Sequence, residues 1–186
     1  MIKIIGGKYK KTNLEVPFNF VRPTSALKRE AIFSTLESYA IKKSFDLYKN
    51  KAVLDLYAGT GSLGLEAISR GMSMGYFYEK ETEVIKILKR NCLKICKDEQ
   101  YEIRNDFAEN VNVKINSLPI SIIFIDPPYK KVSLDKILQL IIDKKLLNNN
   151  TSVVVETHSK ENIIVPNDLN IFKEKFYGKT KLIFLN

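Results

Sequence analysis

An aspartate, two prolines and a tyrosine, Asp126-Pro127-Pro128-Tyr129, close the apolar run Ile120-Ser121-Ile122-Ile123-Phe124-Ile125. The run is rich in β-branched residues and reads as a buried strand that stops at the prolines. Asp126 therefore falls at the carboxyl edge of a sheet, where open α/β folds take their ligands. Pro127 fixes its own φ, Pro128 biases Pro127 toward extended backbone, and neither has an N–H to offer. The loop is stiff and presents a carboxylate, a backbone carbonyl and an aromatic face. That set suits a planar ring with an exocyclic amine. Asp126 and the Pro127 carbonyl accept the two amine hydrogens, and Tyr129 stacks on the ring. Asp-Pro is also a common turn opener, so other parts of the chain must carry the choice.

A second constellation is Leu54-Asp55-Leu56-Tyr57-Ala58-Gly59-Thr60-Gly61-Ser62-Leu63-Gly64. Its glycines allow a tight turn and close approach to a ligand, and the helix behind them offers N–H donors. Ala58, Gly59, Thr60 and Gly61 are the expected backbone contacts. Gly59, Gly61 and Gly64 also satisfy the dinucleotide fingerprint, and Glu79 stands where an acid would hold ribose hydroxyls. The loop and Glu79 alone fit either S-adenosylmethionine or NAD. Three further residues favour the methyl donor: Asp55, placed to accept from a cationic amino-acid portion, and Asp106-Phe107, placed to bond an adenine amine and stack on its ring. The amine-gripping Asp126 loop has no role in hydride transfer.

These residues need a scaffold of alternating elements. Residues 2–6 and 13–16 read as a short hairpin around the basic turn Gly6 to Lys11. Thr24 or Ser25 is a helix N-cap, followed by Ala31, Ile32, Leu36, Tyr39 and Ala40 on one face, with Lys28 and Arg29 toward the other. From Lys51 the expected order is strand (52–56), helix (63–70), strand (74–78), helix (81–97), strand (101–105), helix or loop to 116, and strand (120–125). A helix on Leu134, Ile137, Leu138, Ile141 and Leu146, a strand at 152–156 and a hairpin of 171–177 with 180–185 about Gly178-Lys179 complete it. The alternation predicts a parallel, doubly wound sheet with an antiparallel closing element.

The 186 residues fit one domain with a small appendage, and no apolar run is long enough to span a bilayer. The amino terminus lacks a signal-peptide pattern, so the expected location is the cytoplasm. Of the net charge of +9, +6 lies in residues 1–50. A basic end on a nearly balanced body is the footprint of a polyanion contact, with Lys8, Lys10 and Lys11 in its turn. Cys92 and Cys96 read as idle thiols, and with one histidine, His158, no metal site is expected. Asn91 on an apolar helix face reads as a structural hydrogen-bonding residue.

The stretch Leu54–Gly64 resembles motif I of the class I S-adenosylmethionine methyltransferases, and Asp126-Pro127-Pro128-Tyr129 resembles their amine-methylating motif IV. More narrowly, Ile5-Gly6-Gly7, Arg22-Pro23-Thr24 with Arg29-Glu30 and Phe33, and Tyr177-Gly178-Lys179-Thr180 resemble the RsmD family, from about residue 2 to the end. Ser34 stands where that family favours asparagine. The resemblance implies a Rossmann-like fold with a mostly parallel seven-stranded sheet, an antiparallel carboxyl-terminal hairpin strand and a small basic amino-terminal extension. It divides the chain into an RNA-contacting segment, 1–50, and a methyltransferase domain, 51–186. The implied reaction is methylation of the 2-amino group of a guanine in 16S rRNA on a small-subunit particle, by a monomer. Arg22, Thr24, Lys28 and Arg29 join Lys8, Lys10 and Lys11 as expected RNA contacts. The residues themselves leave open an adenine-amine methyltransferase, an NAD(P)-dependent oxidoreductase and a non-catalytic RNA-binding protein.

Overall fold

The computed structural model describes residues 2–17, 25–113, 118–128 and 132–186. Two short antiparallel strands, β1 (Ile2–Lys3) and β2 (Asn13–Leu14), flank the basic turn, with shorter arms than the sequence suggests. α1 (Ala26–Lys42) begins at Ser25, whose side chain accepts from the Lys28 N–H at 3.3 Å. Thr24, the other candidate cap, lies outside the described residues. There follow β3 (Ala52–Asp55), α2 (Ser62–Ser69), β4 (Met74–Glu79), α3 (Thr82–Ile95), β5 (Tyr101–Asn105), β6 (Ile120–Ile125), α4 (Leu134–Asp143) and β7 (Ser152–His158). β8 (Ile171–Tyr177) and β9 (Thr180–Leu185) form the closing antiparallel hairpin. Leu146 lies past the end of α4 but is buried. Among the described residues no helix is long and apolar enough to cross a membrane.

The seven strands are ordered β5-β4-β3-β6-β7-β9-β8, and β9 alone runs against the others. The chain winds outward in one direction from β3 and in the other from β6. The crevice for a ligand therefore opens between their carboxyl ends. α1, α2 and α3 pack on one face, over Val53, Phe77, Ile122, Phe124, Val154, Leu182 and Phe184. α4 covers the other, over Leu54, Ile123, Ile125, Val153, Val155 and Ile183. At Ser121 the β3–β6 register slips: Ala52 pairs with Ile120, but Val53 pairs with Ile122. This bulge brings Ile122 and Phe124 to the α1–α3 face, while Ile120 stays with the α4 cluster.

The amino-terminal segment is built into this face. Glu66 of α2 is fully buried and accepts from the Ile5 and Gly6 N–H groups at 2.9 and 2.7 Å. At the end of α2, the Ser69 carbonyl and hydroxyl take the Lys8 and Tyr9 N–H groups at 2.7 and 3.0 Å. The approach leaves no room for a side chain at Gly7, where φ is +72° and a Cβ would sit 1.9 Å from the Ser69 carbonyl oxygen. Ile2, Ile4 and Leu14 enter the same core as Ile32, Phe33 and Leu36 of α1.

This docking corrects the reading of α1. Arg29, expected on the outer face as an RNA contact, is 1% exposed and donates from Nη2 to the Lys3 carbonyl at 2.8 Å. The amino-terminal strand covers that side of the helix, which the periodicity of α1 alone does not reveal. Lys28 also turns inward, onto Glu156. Tyr39, expected on one helix face with Ile32 and Leu36, is half-buried at the margin of that face and stacks on Phe172 at 4.0 Å between centroids. Gly7→Ala should cost at least about 3 kcal/mol in chemical denaturation, since strain and backbone overlap combine. Gly178→Ala, at φ +59° with nothing within 4 Å, should cost only about 1 kcal/mol. Equal costs would show that the Gly7 contact does not hold the segment.

Candidate active site

Beyond Asp55 the chain turns through the glycine loop before entering α2. The Ala58 N–H donates to the Tyr78 carbonyl at 2.9 Å, and the Gly61 N–H to the Ala58 carbonyl at 2.8 Å. Gly61 has φ +86° and a Cβ on it would lie 2.5 Å from the Leu88 side chain, so backbone and packing both call for glycine. Gly59 shares the left-handed backbone, at φ +53°, but a Cβ there would meet nothing within 4 Å. The space over Gly59 is open. Asn91, buried on α3, donates to the Thr60 carbonyl at 2.9 Å and the Glu15 carbonyl at 3.0 Å, tying the loop to the amino-terminal segment.

Carboxylates line the sheet edge around this loop. Glu79 accepts from the Gly59 N–H and the Glu81 N–H, both at 2.9 Å, and so fixes the loop against β4. Asp55 is 1% exposed, and its Oδ2 accepts from the Gly64 N–H at 3.2 Å. Its Oδ1 is buried with no hydrogen-bond partner among the described residues. Burial raises the Asp55 pKa from an ordinary 3.8 to about 7, against the Gly64 and Tyr57 amides that lower it and with the help of the Glu79 charge. Asp106 accepts from the Phe107 N–H at 2.8 Å and the Asn110 side chain at 2.7 Å. Phe107 is 54% exposed, with the Lys80 ammonium 5.3 Å from its ring centroid.

The register places the acceptor loop against this set. Asp55 pairs with Phe77 and Phe124, and Phe124 with Val154. Two residues further along their strands, Glu79, Asp126 and Glu156 stand level, and Asp55 lies one layer beneath. Strand alternation carries all four toward the α1–α3 face. Pro127 is buried and Pro128 exposed, while Tyr129 lies outside the described residues. Arg22 and Thr24 lie outside them as well. Lys8, Lys10 and Lys11 are not brought to this edge: their turn is bound to Ser69, at the opposite end of α2 from the glycine loop. His158 ends β7, and its Nδ1 accepts from the Lys160 N–H at 3.2 Å.

A dinucleotide fold carries six parallel strands, whereas here antiparallel β9 is inserted beside β7. Residues 2–186 match the family described as conserved hypothetical protein 95, the RsmD family of methyltransferases. The chain belongs to this family. The NAD reading of the glycine loop falls with that membership. Ribosomal RNA small subunit methyltransferase D from Buchnera aphidicola (subsp. Acyrthosiphon pisum) is 34% identical over 155 residues, covering 83% of this chain and 76% of the relative. The solved structure of yhhF from Escherichia coli superposes with a TM-score of 0.82 at 26% identity, covering 99% of this chain and 96% of that one. An RNA methyltransferase from Salinibacter ruber, solved with S-adenosyl-L-homocysteine, shares the fold at 12% identity and a TM-score of 0.60, covering 88% and 92%.

Sequence reasoning missed two supports of the site. Glu66 was the more legible, as a lone acid inside the apolar run Leu63–Ile68. The Lys28–Glu156 ion pair joins residues 128 apart, and no local pattern announces it. Folded Asp55 keeps its proton to about pH 7, whereas the unfolded chain releases it near the ordinary 3.8. The folded state thus binds more protons across that window, and stability falls as pH rises through it. Asp55→Asn should remove this loss. In thermal unfolding, its stability relative to wild type should grow by roughly 2–4 kcal/mol from pH 4 to pH 7 and then level off. A difference independent of pH would mean that Asp55 ionises normally.

Proposed function

We propose that this chain is an S-adenosylmethionine-dependent methyltransferase acting on the exocyclic 2-amino group of a guanine in 16S rRNA, on an assembling small-subunit particle. The observation that carries the reading is the position of Asp126-Pro127 at the end of β6, beside β3 and its glycine loop. An amine acceptor and a nucleotide-type loop share one crevice. Family membership, the small-subunit methyltransferase relative and the basic amino-terminal segment support the rRNA assignment. The protein would work as a monomer in the cytoplasm.

The residues fit such a cofactor. Space is open over Gly59, Asp55 Oδ1 is an unused acceptor beneath the loop, and the Phe107 ring is exposed for stacking. The Ala58–Gly61 backbone and Asp55 would hold the amino-acid portion, Glu79 the ribose hydroxyls, and Asp106 with Phe107 the adenine. When bound, the cofactor supplies an electrophilic methyl group. The protein's task is to orient the acceptor nitrogen, whose lone pair is delocalised into the guanine ring. Asp126 and the Pro127 carbonyl accept its two hydrogens, which turns the lone pair out of the ring and favours pyramidal nitrogen. Tyr129 takes the stacking role by its place in the sequence. Asp126 need not be a strong base, because the methylated amine loses its proton late, to water. The target must be unstacked or start in an exposed loop, since pairing hides its amine edge.

Labelled methyl offered with undermethylated small subunits, free rRNA and DNA should appear in 2-methylguanosine from the subunits. Label in 6-methyladenine would overturn the guanine assignment. Asp126→Ala should reduce transfer by at least about a thousandfold with the donor Kd unchanged by calorimetry. Loss of donor binding as well would remove Asp126 from the acceptor side. Changing Lys8, Lys10 and Lys11 to Gln should make the salt dependence of RNA binding shallower by up to about 2–3 in log–log slope. An unchanged slope would take the turn out of the RNA contact.

A further inference from the structure

The carboxyl edge holds a largely buried charged pair that neither methyl-donor binding nor amine orientation uses. Lys28, from the first turn of α1, places its ammonium on Glu156 Oε1 of β7, with only 15% and 7% of the two side chains exposed. A buried ion pair contributes little net stability, because desolvation offsets the attraction. Its location is more telling. Glu156 is level with Asp126 on the adjacent parallel strand and continues the same face. Neighbouring strands stand about 4.8 Å apart, close to the width of a base edge. The glycine loop and Glu79 occupy the β3–β4 side of the crevice. A base whose amine sits on Asp126 therefore extends the other way, over β7.

We infer that the Lys28–Glu156 pair reads the guanine base, Glu156 accepting from N1–H and the Lys28 ammonium donating to O6. The inference rests on the guanine reading given above. Along the Watson–Crick edge of guanine the order is amine, N1–H donor, O6 acceptor. Across the site the order is Asp126 with the Pro127 carbonyl, then the Glu156 carboxylate, then the Lys28 ammonium. Adenine and cytosine also carry an amine, but the next ring position is an acceptor nitrogen that would face the Glu156 carboxylate. Asp126-Pro127 grips any exocyclic amine, so selection among bases falls to this pair. An ammonium has three donors and a carboxylate several lone pairs, so the ion pair retains capacity for the base while intact. Lys28 thus moves from the phosphate contact expected of it to a base contact.

The test uses 2-aminopurine, which keeps the 2-amino group but has an acceptor at N1 and only hydrogen at C6. Once nucleoside mapping has located the methylated guanine, small subunits are reconstituted with either base at that position. kcat/KM is then measured for wild type, Glu156→Gln and Lys28→Met. Wild type should prefer guanine by at least about a hundredfold, as sites that bond a substrate N–H reject analogues lacking it. Both variants should lose activity on guanine by about 10–100-fold with the donor Kd unchanged; Glu156→Gln should narrow the guanine preference to a few-fold, and Lys28→Met, which removes only the O6 contact, should narrow it about tenfold. In Glu156→Gln the amide can turn to donate to N1 of 2-aminopurine. The intrinsic reactivities of the two amines differ, but equally for all three proteins, so the change in ratio isolates the contact. A ratio unchanged in both variants overturns the assignment, since loss of a merely structural pair would lower both substrates alike. If neither variant folds, equal use of the two bases by wild type overturns it. Label found in adenine at the mapping step instead overturns the underlying guanine reading.

Discussion

Burying a carboxylate is expensive unless its oxygens are filled with donors. Glu66 meets that condition with the Ile5 and Gly6 amides and Arg70 Nε, the last at 3.0 Å. Arg70 in turn reaches Glu37 of α1 at 2.8 Å, and Glu37 accepts from the Tyr48 hydroxyl at 2.7 Å. One buried charge thus joins the amino-terminal segment, α1 and α2. α2 carries the glycine loop at its other end, so the same contact that docks the basic segment also sets the helix behind that loop. Asn91 repeats the arrangement nearby, linking Thr60 in the loop to Glu15.

The chemistry of the site follows from a sheet whose strands end together. Glu79, Asp126 and Glu156 are separate in sequence and become one row because parallel pairing brings the ends of β4, β6 and β7 level. Their surroundings give each a different task. Glu79 has backbone donors on both oxygens and stabilises a loop, while Glu156 holds an ammonium. Asp126 follows the rigid strand and precedes two prolines, which fix its place with little conformational freedom left to lose.

Strand and helix positions were legible because apolar runs and helical spacing are local signals, and the glycine and Asp-Pro-Pro loops announced themselves as strand ends. The environment of Arg29 was not legible. Its outward position followed from the periodicity of α1, but a strand twenty-six residues earlier covers that side and leaves the side chain 1% exposed. Asp55 is similar: its spacing from the glycines shows, but the burial that raises its pKa to about 7 comes from packing of the whole sheet. The Lys28–Glu156 pair depends on how α1 crosses β7, which only tertiary packing determines. Local physics located the candidate groups, and long-range contacts decided which of them face one another.

The bulge at Ser121 bears on all of this. In an alternating strand, parity decides which side each residue faces. One additional residue in β6 reverses that parity between Ile120 and Ile122, so everything downstream changes sides. Asp126 shares the α1–α3 side with the glycine loop only because of that reversal. A strand that alternated regularly through every residue from Ile120 to Asp126, with no bulge, would be equally apolar and equally able to be buried, but its terminal carboxylate would face the α4 layer. In this fold, the side on which the candidate site assembles is stored in a residue count inside the core.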